Sequence, residues 1–450
     1  MEKAQSGTRT AFIIVTCLFF AWGFITSLID PIVAAVKGIF GLSDFEAQLS
    51  PFAFFIAYGV MSFPAAVLLA RKKVMPTIFI ALGVVLAACL VMLYATHIAD
   101  YTVVLVGLFI LASGITILQV AANPLSAALG PPEKSHFRLT LSQTFNSFGT
   151  FLGPWIGATL FLKGVEVKEG TAISEEVRAA SLAGIDSAFF SVAAFLVLLT
   201  LLLWVYRRLI AEAAPPPPAE TARRGIWATF LDAISSRWAL LGGAAIFLYV
   251  GAEVAIGTQM ALFLHSDAIW GRSDAPFAVP LLGWAMGSDG IPGVSVQEAG
   301  KAVAFYWGGA MVGRFVGALL LTVVRATKLL AIFTAVAVAM CLYVFAVGGV
   351  SAGFVALGIG LFNSIMFPVI FTLTLERSTA SDEATSGFLC FSIVGGAMVP
   401  LVVGAVSDAT SYATAFLVPA ACYAVLTGFA LAARRAPVRA GGADPAAAIH

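Results

Sequence analysis

Residues 107–154 read GLFILASGITILQVAANPLSAALGPPEKSHFRLTLSQTFNSFGTFLGP, two apolar helices joined by a short turn that contains charged residues. Gln119 and Asn123 lie four residues apart and share one face of the first helix. Gln143 and Asn146 lie three apart and share a face of the second. Lipid-facing helices carry Leu or Val at such positions, so these two polar stripes predict a wet cavity inside a membrane protein.

The composition is that of a polytopic membrane protein. Of the 450 residues, 60% are hydrophobic and 11% are charged, whereas soluble domains have roughly 25% charged residues. The net charge is only +1, and the basic residues do not cluster on one face of any predicted helix, so nothing suggests a nucleic-acid partner. The five cysteines stand singly in apolar runs and the four histidines are scattered, which predicts neither a disulfide framework nor a metal site.

Apolar runs long enough to cross a bilayer recur along the whole chain. A hydrocarbon core about 30 Å thick takes ~20 helical residues. We therefore predict an all-α membrane protein with twelve transmembrane helices, the first of them retained because it is too long for a signal-peptide core. The predicted spans lie at about 11–36, 50–70, 74–96, 102–129, 137–162, 184–206, 238–264, 302–324, 328–348, 352–375, 385–407 and 411–433.

A polar interruption divides the spans into two groups of six. The run Pro215–Pro218 predicts a stiff, unpaired linker. We predict an N-terminal six-helix bundle at 1–206, a cytoplasmic linker at 207–237, and a C-terminal bundle with a short cytoplasmic tail at 238–450. Apolar residues at helical spacing in 226–234 predict either a helix on the membrane surface or an extension packed under the second bundle.

An internal repeat supports two pseudo-symmetric halves. The pattern FxxxGxxxxP occurs in the fifth span and again, with the same spacing, in the eleventh. This predicts parallel six-helix repeats with equivalent fifth helices. The two copies are Phe145, Gly149 and Pro154, and Phe391, Gly395 and Pro400.

The distribution of lysine and arginine predicts the orientation. With a cytoplasmic N-terminus, most of these residues fall in cytoplasmic segments, so both termini and the linker are expected to be cytoplasmic. We predict a multi-pass protein of a cell inner membrane that functions as a monomer in the lipid bilayer. The basic residues left outside are Lys37, Lys163, Lys168, Arg178, Arg272 and Lys301.

Three charged residues stand out inside the predicted spans, where charges are costly and usually functional. Asp30 and Glu253 are candidates for proton coupling, because a carboxyl group in a membrane cavity can exist in neutral and ionised forms. A structural alternative for Asp30 is pairing with Lys37. Arg314 is interpreted as a gating or structural charge that snorkels or pairs with an acidic residue, either Glu376 or Asp382.

Neutral polar and aromatic side chains in the spans suggest a ligand with hydroxyl groups. Carboxamides offer neutral donor and acceptor pairs, although they also join helices. Aromatic rings could cover the C–H face of a sugar or simply pack in the core. The carboxamide candidates are Gln119, Asn123, Gln143, Asn146, Gln259 and Asn363, and the aromatic ones are Trp22, Tyr58, Tyr306 and Trp307.

No Walker A sequence, HExxH, GxSxG or paired-cysteine motif occurs. The sequence therefore predicts neither an enzyme nor a bound cofactor, and it leaves a gradient-driven transporter as the main hypothesis. A channel or a membrane sensor is the alternative of a different class, against which the repeat and the buried carboxylates argue.

Several long stretches resemble the fucose:proton symporter family of the major facilitator superfamily, and are most similar to its glucose/galactose permease branch. The resemblance implies two pseudo-symmetric bundles, alternating access, a central sugar site and proton-coupled import. By motif it makes Asp30 a proton carrier and places Gln143 and Asn146 in the sugar site. The stretches are FFAWGFITSLID, LQVAANPLSAALGP, RLTLSQTFNSFGTFLGP, FLYVGAEVAIG, YWGGAMVGRFVG and FNSIMFPVIFTLTLE.

One departure from the resemblance bears on the substrate. The fucose permease has a glutamate where this chain has Gln119, which argues against fucose and leaves Glu253 as the second acidic group. We therefore predict symport of a proton and a hexose of the glucose or galactose type. An N-acetylhexosamine such as N-acetylglucosamine, or fucose, is the alternative. The long outer segment 265–298 is expected to cover the cavity mouth or to be an ordinary variable loop.

Overall fold

A computed structural model describes residues 2–129, 135–162, 174–213, 226–288, 293–321, 323–380 and 382–437, and these ranges are helical almost throughout. The proline run of the linker and the end of the C-terminal tail lie outside the described residues. The helices of the first half are α1 (Glu2–Ser27), α2 (Ile29–Phe40), α3 (Asp44–Ala47), α4 (Leu49–Lys72), α5 (Val74–Ile98), α6 (Tyr101–Ala128), α7 (Ser135–Phe161) and α8 (Glu175–Ala213).

The second half begins with α9 (Ile226–Ser235), the amphipathic segment predicted from its spacing. Phe230 of this helix packs on Phe388, whereas Trp227 is exposed. The remaining helices are α10 (Arg237–His265), α11 (Pro280–Met286), α12 (Val296–Leu320), α13 (Ala326–Val347), α14 (Gly349–Asn363), α15 (Met366–Leu375), α16 (Asp382–Phe391), α17 (Gly395–Ala409), α18 (Tyr412–Ala415) and α19 (Leu417–Arg435).

Each predicted span corresponds to one long helix or one broken pair of helices. Within the described ranges, nine segments are long and apolar enough to cross a membrane. The three other long helices, α4, α7 and α12, have 24, 27 and 25 residues and are also long enough to span. The broken pairs are α1 with α2, α14 with α15, α16 with α17, and α18 with α19.

Two of these breaks lie about one helical turn before a proline. Pro31 has no N–H group, so the carbonyl of Ser27 loses its helical donor, and α1 ends at that residue. In the same way Pro368 frees the carbonyl of Ser364, where α14 gives way to α15. Both breaks lie next to residues that the sequence analysis selected, Asp30 and Asn363.

The FxxxGxxxxP repeat marks equivalent helix crossings in the two halves. A Cβ atom on Gly149 of α7 would lie 2.5 Å from the carbonyl oxygen of Phe20 on α1. A Cβ atom on Gly395 of α17 would overlap the carbonyl oxygen of Phe247 on α10. Each half therefore packs its fifth span against its first through a glycine that admits close backbone approach.

The two halves meet along three crossings: α7 with α12, α4 with α17, and α2 with α10. The second span (α4) packs on the eleventh (α17), and the eighth (α12) packs on the fifth (α7). These two contacts are equivalent, because each half places its second span against the fifth span of the other half. This is the arrangement expected of two pseudo-symmetric bundles that pack side by side.

The halves are joined tightly at the end of the bundle that contains α3, here called the Asp44 end. The Asp408 carboxylate of α17 accepts hydrogen bonds from the backbone N–H groups of Asp44, at 2.6 Å, and Phe45, at 2.7 Å. Ser407 donates to the Asp44 carboxylate at 2.8 Å, and Lys37 of the first half donates to the hydroxyl of Tyr412 in the second half at 2.9 Å. These bonds hold the first and second halves together at this end.

The segment 265–298 adds two further links at the Asp44 end. Trp155 of α7 donates its indole N–H to the carbonyl of Ala285 at 2.8 Å. Gln297 donates to the carbonyl of Thr159 at 3.1 Å. In its described part the segment therefore touches the first half, and it contains α11 and a short 3-10 turn at Ala275–Ala278. The opposite end of the bundle, where α8 ends and α10 begins, is called the linker end.

Candidate functional site

Asp30 occupies the first turn of α2, directly after the helix break, and is 3% exposed. A helix N-terminus favours a carboxylate electrostatically. The indole N–H of Trp307, on α12 of the other half, donates to its Oδ2 at 2.5 Å. The alternative pairing with Lys37 is wrong, because Lys37 binds Asp44 and donates to Tyr412 at 2.9 Å.

Glu253 approaches the same point from the second half. It lies half-buried in the middle of α10, one turn before Gly257. A Cβ atom on Gly257 would lie 3.6 Å from the Oδ1 atom of Asp30, so Asp30 rests against α10 about 6 Å along the helix from Glu253. Acidic residues from opposite halves thus share one region in the middle of the bundle.

A buried tyrosine is bonded to a carboxamide in each half. In the second half, Asn363 of α14 donates to the hydroxyl of Tyr306 on α12 at 2.6 Å. In the first half, Gln119 of α6 donates to the hydroxyl of Tyr58 on α4 at 3.0 Å. The two pairs join equivalent spans, the second with the fourth and the eighth with the tenth. Sequence reasoning named these residues without pairing them, although aligning the two halves would have matched them.

The Tyr306–Asn363 pair also supports the acidic site. Both residues are fully buried, and the Tyr306 hydroxyl donates to the backbone carbonyl of Glu253 at 3.1 Å. The Oδ1 atom of Asn363 has no hydrogen-bond partner among the described residues. The pair therefore fixes α10 at Glu253 and leaves one buried acceptor unused.

The two carboxamide stripes of the first half meet. Gln143 of α7 donates to the Oδ1 atom of Asn123 on α6 at 3.4 Å. Asn146 donates to the carbonyl of Phe19 on α1 at 3.2 Å, next to Gly23, where a Cβ atom would lie 2.6 Å from the amide nitrogen of Asn146. The stripe residues are half-buried, so part of each side chain remains accessible.

Arg314 bridges the two halves at the level of this site. Its guanidinium donates to the Ser147 hydroxyl of α7 at 2.5 Å and to the freed carbonyl of Ser364 at 3.5 Å. Ser147 in turn donates to the backbone carbonyl of Gln143 at 3.1 Å. Sequence reasoning missed Ser147, which stands one turn after Gln143.

The predicted pairing of Arg314 with Glu376 is wrong. Glu376 forms its ion pair with Arg377, its neighbour in the chain, at 2.9 Å. The side chain of Asp382, the other predicted partner, lies outside the described residues. Within the described residues, the guanidinium of Arg314 therefore binds Ser147 and the carbonyl of Ser364, and not Glu376.

Two other candidates lie in different surroundings. Trp22 is 4% exposed and packs its ring 4.1 Å from that of Phe19, close to Asn146. Gln259 lies in a crevice between α10, α17 and α19, beside Val403 and Phe416. The structure does not bring Gln259 to the acidic site. In the described part of the chain, no cluster of His, Cys, Asp and Glu could hold a metal ion.

The sequence profile of the Major Facilitator Superfamily matches residues 11–380. A glucose/galactose transporter of Brucella abortus biovar 1 (strain 9-941) is 36% identical, with 95% of each chain covered. An L-fucose-proton symporter of Escherichia coli (strain K12) is 32% identical over 93% of this chain and 92% of the relative.

Among solved structures, a crystal structure of the E. coli fucose:proton symporter matches with a TM-score of 0.67 and 27% identity. The match covers 96% of this chain and 100% of the other. The predicted twelve-helix fold and the family resemblance are both confirmed. The chain belongs to the Major Facilitator Superfamily.

Proposed function

We propose that this protein imports a hexose of the glucose or galactose type together with a proton, by alternating access. One observation carries the proposal: Asp30 of the first half lies against α10 of the second half, about one helical turn from Glu253. Relatives named glucose/galactose transporter and L-fucose-proton symporter support a transport function and not an enzymatic one.

The acidic site has the chemistry that proton coupling needs. A carboxyl group at a low-dielectric boundary between moving halves can take a proton when it faces one side and release it when it faces the other. Asp30 is nearly inaccessible in this structure and is bound by one donor from the opposite half. We assign the proton to Asp30 and a supporting or sugar-binding role to Glu253.

The sugar contacts are assigned to the accessible polar stripes. Neutral amides match the donors and acceptors of sugar hydroxyls. Gln119, Asn123, Gln143 and Asn146 are half-buried, whereas Tyr306 and Asn363 are fully buried and lie behind the site. The first group is therefore expected to contact the sugar, and the second to support Glu253.

The orientation follows from the charges at the linker end. Arg71 and Lys72 end α4, and Arg434 and Arg435 end α19, all at this end of the bundle. We assign the linker end to the cytoplasm, with both termini, and place the protein in a cell inner membrane as a monomer. We also propose that residues 1–206 and 238–450 form the two bundles. The Asp44 end is then external, and the structure is closed on the outside.

Transport of a labelled-sugar panel tests the proposal. Cells that lack other sugar transporters and express the chain should accumulate glucose or galactose above the external concentration, and a proton uncoupler should abolish the accumulation. N-acetylglucosamine and fucose complete the panel and test the alternative substrates. Flux that neither saturates nor exceeds the external concentration would indicate a channel, and binding without flux would indicate a sensor.

A further inference from the structure

The partner of Asp30 is unusual for a buried carboxylate. Among the described residues, Trp307 makes the one hydrogen bond to Asp30, at 2.5 Å, and it does so from the opposite half. From the sequence, Trp307 was expected either to present an apolar ring face to a sugar or to pack in the core. The structure instead commits its polar N–H group to the carboxyl group expected to carry the proton.

The indole is held firmly to the second half. Its ring meets that of Tyr306 edge-on, with centroids 5.1 Å apart and planes at 75°. Tyr306 is anchored by Asn363 and by the carbonyl of Glu253. On the other side, Gly257 leaves the space that the indole fills, since a Cβ atom there would lie 2.9 Å from its Cζ2 atom. Trp307 therefore moves with α10 and α12, whereas Asp30 moves with α2.

An indole N–H can only donate a hydrogen bond. Its bond to an ionised carboxylate is charge-assisted and stronger than its bond to a protonated carboxyl group. The contact therefore favours the ionised form of Asp30, but only while the two halves are closed together at this level. When the halves separate, Asp30 loses this donor, and the hydrogen bond no longer favours its ionised form over its neutral form.

The charged groups near Asp30 lie on the elements packed against α2. Glu253 of α10 lies one turn before Gly257, the residue against which Asp30 rests. Among these elements, α7 presents a glycine, Gly157, to Pro31. Other charged side chains on these elements face elsewhere: Lys37 pairs with Asp44, Asp186 accepts from Thr96, and Glu298 accepts from Ser295. On α12, Arg314 donates to Ser147, and the Lys301 ammonium lies beside Gly287.

We propose that Trp307 is a positioning residue that couples proton release from Asp30 to closure of the two halves on the outer side. This inference rests on the proposed function of proton-coupled transport. With the outside open, Asp30 has no indole donor and takes a proton from that side. Closure brings Trp307 to the carboxyl group, and the proton leaves toward the linker end.

The test uses full-length protein in liposomes, with the internal pH varied at fixed external pH. Net sugar uptake requires proton release inside, whereas sugar exchange between loaded vesicles and medium does not. In Trp307→Phe, the internal pH at half-maximal net uptake should rise by roughly one unit, the size expected for loss of one charge-assisted hydrogen bond. Net uptake at neutral internal pH should fall more than exchange does.

Trp284→Phe is the matched control, because Trp284 is 80% exposed on α11 and lies outside the site. Gly257→Ala, which pushes the indole away from α10, is a second variant that should shift the profile in the same direction by less. It also serves if Trp307→Phe fails to fold. A lower rate with an unshifted profile, in whichever variant folds, would overturn the inference.

Failure of the proposed function is distinguishable from failure of this inference. If sugar uptake by the wild-type protein depended neither on internal pH nor on the uncoupler, both the proposed function and this inference would be overturned. Wild-type protein with proton-coupled uptake, together with variants whose profiles superimpose on it, would overturn the role of Trp307 alone.

Discussion

The carboxylate of Asp408 caps the short helix that begins at Asp44 in the opposite half. It accepts the backbone N–H of Asp44 at 2.6 Å and that of Phe45 at 2.7 Å. A side-chain oxygen that satisfies free N–H groups at a helix start is typically worth about 1 kcal/mol. Because this cap crosses between halves, it stabilises only the state in which the Asp44 end is closed.

Asp408→Ala should therefore shift the conformational equilibrium toward an open Asp44 end, by about tenfold or less for a loss of about 1 kcal/mol. Spin labels at His97 of α5 and Val347 of α13, both exposed at that end, would report the separation of the halves. Asp408→Asn keeps an acceptor oxygen and should have a smaller effect. An unchanged distance distribution in Asp408→Ala would show that the cap does not hold the halves together.

Asp30→Asn tests proton coupling directly. The amide cannot carry the proton, so the variant should lose accumulation of sugar against a gradient while keeping exchange across the membrane. Uptake and exchange of the same labelled sugar, measured with and without an uncoupler, separate the two activities. Full accumulation by this variant would remove Asp30 from the coupling role.

Much of the fold and part of the site could be predicted from the sequence, since apolar runs of membrane length give the twelve spans. Charges inside those runs identify Asp30, Glu253 and Arg314. These signals are local, because they depend on residue type along one helix. The equivalence of the fifth and eleventh spans was also available, since it needs only a repeated spacing.

The partners of the charged residues could not be predicted, because they depend on how distant helices cross. Spacing on α2 allowed a pair between Asp30 and Lys37 as a structural alternative, but Lys37 instead pairs with the carboxylate of Asp44 on α3. Trp307, which binds Asp30, is 277 residues away in the chain. Arg314 donates to the carbonyl of Ser364, which is free only because Pro368, four residues later, has no N–H group to donate to it.

Gln143 and Gln259 should respond differently to substitution, although the sequence analysis selected both for the sugar site. Gln143→Ala removes an accessible amide from the polar stripe and should raise the KM for sugar by about tenfold, the cost of one lost hydrogen bond in a partly enclosed site. Gln259 lies in the crevice beside Val403, so Gln259→Leu should leave the KM for sugar within about twofold of the wild-type value. Initial rates of exchange over a range of sugar concentrations give both values. Equal KM changes would place Gln259 in the sugar pathway after all.

Gly149→Ala should destabilise the first half by about 1–3 kcal/mol, the usual cost of an added methyl group in a packed interior. The new Cβ atom would lie 2.5 Å from the Phe20 carbonyl and force α1 and α7 apart. Gly83 of α5 is the matched control, since a Cβ atom there meets nothing within 4 Å. Gly83→Ala should be neutral or stabilising, because alanine is the better helix former by about 1 kcal/mol. Thermal unfolding of both variants in detergent measures the difference, and equal melting temperatures would mean that the α1–α7 crossing does not need a glycine at Gly149.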